Sequence, residues 1–205
     1  MTLLREELAK RFGNNNIVEL PHNEGDTSLI TIYVESQNVT LLMTNGLSDY
    51  CMLVPESEKG KEFNEIYFCL PSYWRLNDAE NPLMNWVLVW INKLAKYVVE
   101  KNTWFGKGHT IPCGNPFQNL SSTMRANHFF LNDPMLLREE LQPIENKDKT
   151  IRFLGIIPIF EDEMDYKSGK GTLKLIKKLE GHRISEKLDD YRGTILRSRW
   201  KMLKK

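Results

Sequence analysis

From Pro82 the chain reads PLMNWVLVWINKLAKYVVEK, and no other stretch restricts the fold so much. Leu83, Val87, Trp90, Leu94 and Val98 recur at helical spacing, and Met84, Leu88, Ile91 and Ala95 widen the stripe. A helix with so broad an apolar surface has to lie across something equally broad, and a β-sheet is the natural counterpart. Its longest unbroken apolar run, Val87 to Ile91, falls far short of the roughly 20 residues of a membrane span. Trp86 and Trp90, four residues apart, share a face, and packing accounts for them better than a ligand cage.

The chain supplies the sheet. Short β-like runs at Ile17–Leu20, Leu29–Val34, Val39–Met43, Cys51–Val54 and Glu65–Leu70 are separated by Gly, Asn, Pro and charged residues, which predicts a mostly antiparallel meander. In SLITIYVE both alternating sets are apolar, so that strand is expected to be internal. Beyond the irregular stretch 102–118, strands are predicted at Asn127–Leu131 and Ile151–Ile159; the second is the most apolar and should be central, with Pro158 near its end. Two further helices are expected, one capped by Thr2 with Leu4, Leu8 and Phe12 as its stripe and Gly13 as its stop, the other over Gly171–Leu179. No repeat, low-complexity segment or linker divides the 205 residues. A single α+β domain spanning 1–205 is expected, with its core over about 17–179 and a basic C-terminal extension from 180 to 205.

The net charge of +1 conceals an asymmetry. From Gly181 onward eight Lys or Arg face three acids, while the first 180 residues hold 20 basic and 24 acidic groups, a net of −4. The closing ILRSRWKMLKK reads either as an arm for nucleic acid or an acidic partner, or as a tail whose Ile195, Leu196, Trp200 and Leu203 dock on the body. Mild acidity elsewhere favours the docked tail, since a nucleic-acid domain is usually basic over a whole face. MTLLREELAKRF is an amphipathic helix rather than a leader, and the odd cysteine count, Cys51, Cys69 and Cys113, fits free thiols in a reducing cytoplasm.

Chemistry is sparse. Gly169-Lys170-Gly171-Thr172 hints at a phosphate loop, but Met164 stands where the Walker loop needs its first glycine. Glu161, Asp162, Glu163 and Asp165 lack the spacing of a calcium loop and fit a helix N-terminus better. His22, His109, His128 and His182 are scattered without metal spacing, so no metal or cofactor is expected. His109 and Cys113 invite a thiol–imidazole dyad, which would make the chain a hydrolase or transferase, yet no orienting third group or oxyanion hole accompanies them. Ser48 lacks the GxSxG elbow of a nucleophile. The reading is therefore non-enzymatic.

Four pieces in order, TNGLSDYCMLVPE, EIYFCLPSYW, the Pro82 helix running into NTWFGKGHTI, and FLGIIPIFEDEMDYKSGKGTLKLIKKL, resemble the Suppressor of fused (SUFU-like) family. The resemblance rests on Gly46-Leu47-Ser48-Asp49, Leu70-Pro71 with Trp74, Gly108-His109-Thr110 and Ile159 through Glu163, and covers roughly Ile17 to Leu179. It implies a single domain with helices packed on a curved, mostly antiparallel or mixed sheet, and a protein-binding role rather than catalysis. The animal members are longer and grip a peptide by strand addition between two lobes, of which this chain would hold the first. Short bacterial members are associated with immunity against a cognate toxin, so a toxin domain is the expected partner. Asp49 and Tyr50 are the candidate partner-binding residues; capping of a turn and cover for the core edge are their alternative roles.

Overall fold

The computed structural model describes residues 2–22, 27–76, 78 and 82–196. Trp200 and Leu203, and the basic run from 197 onward, lie outside them.

Helix α1 (Leu3–Phe12) opens where the Thr2 hydroxyl accepts a hydrogen bond from the Arg5 amide, and it closes at Gly13, whose φ of 82° a side chain would strain. An antiparallel meander follows: β1 (Ile17–Glu19), β2 (Leu29–Val34), β3 (Val39–Thr44) and β4 (Phe63–Pro71). Helix α2 (Pro82–Glu100) leads on to β5 (Thr110–Pro112), β6 (His128–Asn132), the two-residue β7 (Ile144–Glu145) and β8 (Thr150–Ile159). Helices α3 (Glu161–Lys170) and α4 (Thr172–Gly181) close the described elements.

The strands form one sheet in the order β1-β2-β3-β4-β8-β6-β5, with β7 also paired to β8. Only β4 and β8 run parallel; the other pairings are antiparallel, giving the mixed sheet expected. As expected, β8 is central, and Pro158 stands beyond Gly155, where β4 has ended its pairing. In a strand the N–H and C=O of one residue point the same way. The Pro158 carbonyl accepts from Arg192, so the missing N–H belongs on the flank where no strand ladder needs it.

Pleating divides the core. On one face Leu42, Ile66, Phe68, Leu154, Ile156 and Phe129 meet Trp86, Val87, Ile91, Leu94, Ala95 and Val98 of α2. Trp86 and Trp90 pack against Phe129 with ring centroids 6.4 and 5.2 Å away, so both are core residues. Leu83, expected in the seam, is exposed, because helical spacing says nothing about where the sheet beneath ends. On the other face α1 covers Ile30, Ile32, Leu41 and Met43, while α3 and α4 cover Phe130, Ile157 and Ile159.

The segment 183–192 runs beside β4 after α4. Glu186 is buried there, its carboxylate accepting from the amides of Met135, Leu136 and Leu137 and from the Tyr67 hydroxyl. The Leu188 amide donates to Cys69 O, so the segment borders β4 where β8 leaves it. Residues expected in the basic extension thus contribute Glu186 and Leu188 to the core.

One further expectation is corrected. Residues 51–54 form no strand: the Met52 amide donates to Glu62 O, and its buried side chain meets Asn64 and Phe105 through its sulfur. The acidic cluster opens a helix, as expected, with Glu161, Asp162 and Glu163 in its first turn; that helix runs to Lys170, ahead of the one predicted over Gly171–Leu179.

Candidate functional site

The stretch TNGLSDY turns about a carboxylate. Gly46, at φ 116°, starts a one-turn helix over Leu47–Asp49, and this geometry aims the Gly46 and Ser48 amides inward. Both donate to Glu65 Oε1, at 3.1 and 3.0 Å, and the Thr44 hydroxyl bonds Oε2. Glu65 lies on β4 and is fully buried. Burial raises its pKa, against the pull of the Thr44, Ser48 and Gly46 donors. Sequence reasoning passed over Glu65 because, after Asn64, it reads as the polar start of an apolar strand; nothing local signals its burial.

Asp49 faces outward, Tyr50 packs half-buried on the core beneath α2, and both tie the loop down. Lys149 reaches Asp49 Oδ1 at 2.9 Å and Ser48 O at 2.8 Å, and the Tyr50 hydroxyl donates to Asn102 Oδ1 at 2.7 Å. With the Asp49 side chain 68% exposed, its ion pair holds weakly. A cavity of about 440 Å³ beside them is lined by Asn45, Leu47, Tyr50, Lys96 and Val99.

His109 and Cys113 flank β5, four residues apart and so roughly 13 Å along an extended chain. His109 stacks edge-on to Trp104 at 4.2 Å, and its pKa is lowered by burial and by Lys167. Burial pushes the Cys113 thiol up to about 12, the opposite of what a nucleophile needs. The acidic cluster is structural. Glu163 accepts from the Phe160 amide at the start of α3 and receives Arg192 Nη1 at 2.8 Å, with the two side chains 0% and 8% exposed. Thr194 donates to Asp162, and Ile195 packs on the α3–α4 layer, so the tail is docked through the last described residues. Among the described residues no group of His, Cys, Asp or Glu could hold a metal ion. No described helix is long and apolar enough to cross a membrane.

The outer edges of the sheet are blunted. In β1 the Ile17 amide donates to Asn14 O and its carbonyl accepts from Arg5, while Pro21 follows two residues after the strand. At the other margin β5 spans three residues and ends in Pro112. A stretch of sheet face, by contrast, is left uncovered by the described residues. The register places Val18 opposite Thr31 and Tyr33 opposite Thr40, all on the face that α2 covers farther in. Val18 and Tyr33 are 57% and 41% exposed, and among the described residues no other large hydrophobic on a strand is exposed. Trp74, Arg75 and Leu76 join Val18, Thr31 and Thr40 around a groove of about 640 Å³.

The sequence matches the family model described as Suppressor of fused protein over residues 25–192, a match ending at the residue that pairs with Glu163. No curated protein matches it. Among solved structures, it is similar to one described as "the Sufu-Fu complex crystal structure". The identity is 15%, the match covers 94% of this chain and 90% of that one, and the TM-score is 0.66. The structure of Drosophila Suppressor of Fused is 14% identical with a TM-score of 0.59; the match covers 94% of this chain and half of the Drosophila chain. At such identities the likeness establishes the fold.

Proposed function

The chain belongs to the Suppressor of fused family, and on that premise we propose that it is a non-enzymatic binding domain that sequesters a protein partner. The observation that carries this reading is the sheet face that the described residues leave uncovered. Val18 and Tyr33 present apolar surface from the sheet, and Val18 borders a groove whose lining includes the largely buried Trp74. One of the similar solved structures is described as a complex, which agrees with such a role. Because both outer edges are blunted, the partner rests on the face rather than adding a long strand. Asp49 and Tyr50, beside the smaller cavity, are a second point of contact.

The finer reading is cytoplasmic immunity: the partner is a cognate toxin domain, basic enough to meet a body whose first 180 residues carry a net −4. The experiment is co-expression with candidate toxin domains sought among the neighbouring genes, followed by titration of the purified pair. A stoichiometric complex and rescue of growth are expected. Val18→Asp and Tyr33→Asp should keep the unfolding free energy within about 0.5 kcal/mol, as surface changes do, while weakening the complex tenfold or more. Unchanged affinity, with a tenfold loss in Asp49→Ala and Tyr50→Phe instead, would move the interface to the loop. Binding without rescue would remove the immunity role and leave sequestration standing.

A further inference from the structure

The sequence holds a single Asn-Gly pair, Asn45-Gly46, and it begins the loop that carries Asp49 and Tyr50. Such a pair holds a latent reaction. The backbone nitrogen of the glycine, with no side chain beside it, can attack the carboxamide carbon of the asparagine. The bond from Gly46 N to Asn45 Cγ forms, the Cγ–Nδ2 bond breaks, and Nδ2 leaves as ammonia with the proton that Gly46 N gave up. Water then opens the cyclic imide at one carbonyl or the other, which yields aspartate or isoaspartate.

The folded chain withholds the attacking nitrogen. Gly46 N has to shed its proton to react, and that N–H donates to Glu65 Oε1 at 3.1 Å. Shedding it would forfeit the bond and set a nitrogen anion against a buried carboxyl oxygen. The carboxamide is tethered as well. The Asn45 amide donates to Ser28 O at 2.8 Å, and Asn45 Nδ2 donates to Ser28 Oγ at 3.3 Å. Asn45 and Gly46 are only half-buried and line the cavity of about 440 Å³ beside the loop, so solvent reaches the pair and hydrogen bonding is what restrains it.

We propose that Asn45 is a deamidation site gated by Glu65: the pair is inert while Gly46 is bonded to that carboxyl group and reacts when the loop lets go. The change runs one way. Aspartate places a new negative charge on the loop that bears Asp49. Isoaspartate inserts an extra main-chain carbon before Gly46, which shifts the Gly46 and Ser48 amides off the positions that meet Oε1. A chain whose loop has opened for long enough therefore keeps a chemical record of it. None of this depends on what the chain binds.

The test follows the full chain by peptide mapping with isoaspartate detection in mildly alkaline buffer, folded and in guanidinium chloride, alongside amide hydrogen exchange at Gly46. In denaturant Asn45 should convert faster than any other asparagine. In the folded chain it should convert at least about tenfold more slowly, with the Gly46 amide protected by a similar factor, since both need the same opening. Glu65→Leu fills the space but accepts no hydrogen bond, and should speed both processes in the folded chain by about tenfold. Slow conversion of Asn45 in denaturant, equal rates in the folded and denatured chains, or fast conversion beside a protected Gly46 amide would each overturn the proposal. Unchanged rates in a Glu65→Leu chain that still melts cooperatively would take the gate away from Glu65. The wild-type comparison needs no variant, so a poorly folding Glu65→Leu leaves the test intact.

Discussion

Glu65 organises the residues around it more than any exposed group does. Desolvation raises its pKa, so the folded chain keeps this proton to a higher pH than the unfolded chain, whose glutamates titrate near about 4.3. The stabilisation is therefore complete at acid pH and is lost as pH rises through the folded value. Glu65→Gln removes the titration, so urea midpoints should favour the native chain most at low pH and the gap should narrow towards pH 8; a gap independent of pH would contradict the assignment. The cysteines give a second check at this scale. Cys51 is exposed, whereas Cys69 and Cys113 are buried and burial raises both thiol pKa values. Under native conditions a maleimide should label Cys51 alone, with all three reacting in denaturant. Rapid native labelling of Cys113 would revive the thiol chemistry that its surroundings disfavour.

Among the elements, what the sequence disclosed followed periodicity. Strand β2 falls over Leu29–Val34 as expected, because alternating apolar residues are bounded by charge, and α2 declares itself by its stripe. Elements held by distant partners were hidden. Helix α3 carries only Met164 and Tyr166 toward the core, and it is further held by Arg192, twenty-nine residues from Glu163. Residues 51–54 look like a strand because Met52 is a core anchor. The candidate loop was legible as a turn, but Lys149 and Asn102, which fix Asp49 and Tyr50, lie 100 and 52 residues away, beyond any local pattern. The α3 latch carries its own prediction. Arg192→Met strands a buried carboxylate and should cost about 3–5 kcal/mol, whereas Arg192→Met combined with Glu163→Gln should recover much of the loss. Additive losses in denaturant melts would show that the pair is not coupled.

For the molecule as a whole, the segment 183–192 ties the turn at 135–137 to β4. It brings Glu186 to three otherwise unmatched amides and places Leu188 beside β4. A chain ended after Leu179 should therefore lose its cooperative thermal transition and bind hydrophobic dyes, while a chain ended after Leu196 retains the transition. A sharp transition in the shorter chain would show that the segment only decorates the fold.

The central place of β8 also has a consequence in time. Strands β1 to β4 can pair as soon as they leave the ribosome, but the strand that completes the middle of the sheet comes last, about 80 residues after β4. At roughly 5–20 residues per second, the inner flank of β4 waits about 4–16 s for its neighbour. During that interval the nascent chain shows an apolar, unpaired edge, which the finished protein never exposes. Yield in a cell should then depend on chaperone supply and elongation rate more than on the stability of the folded state.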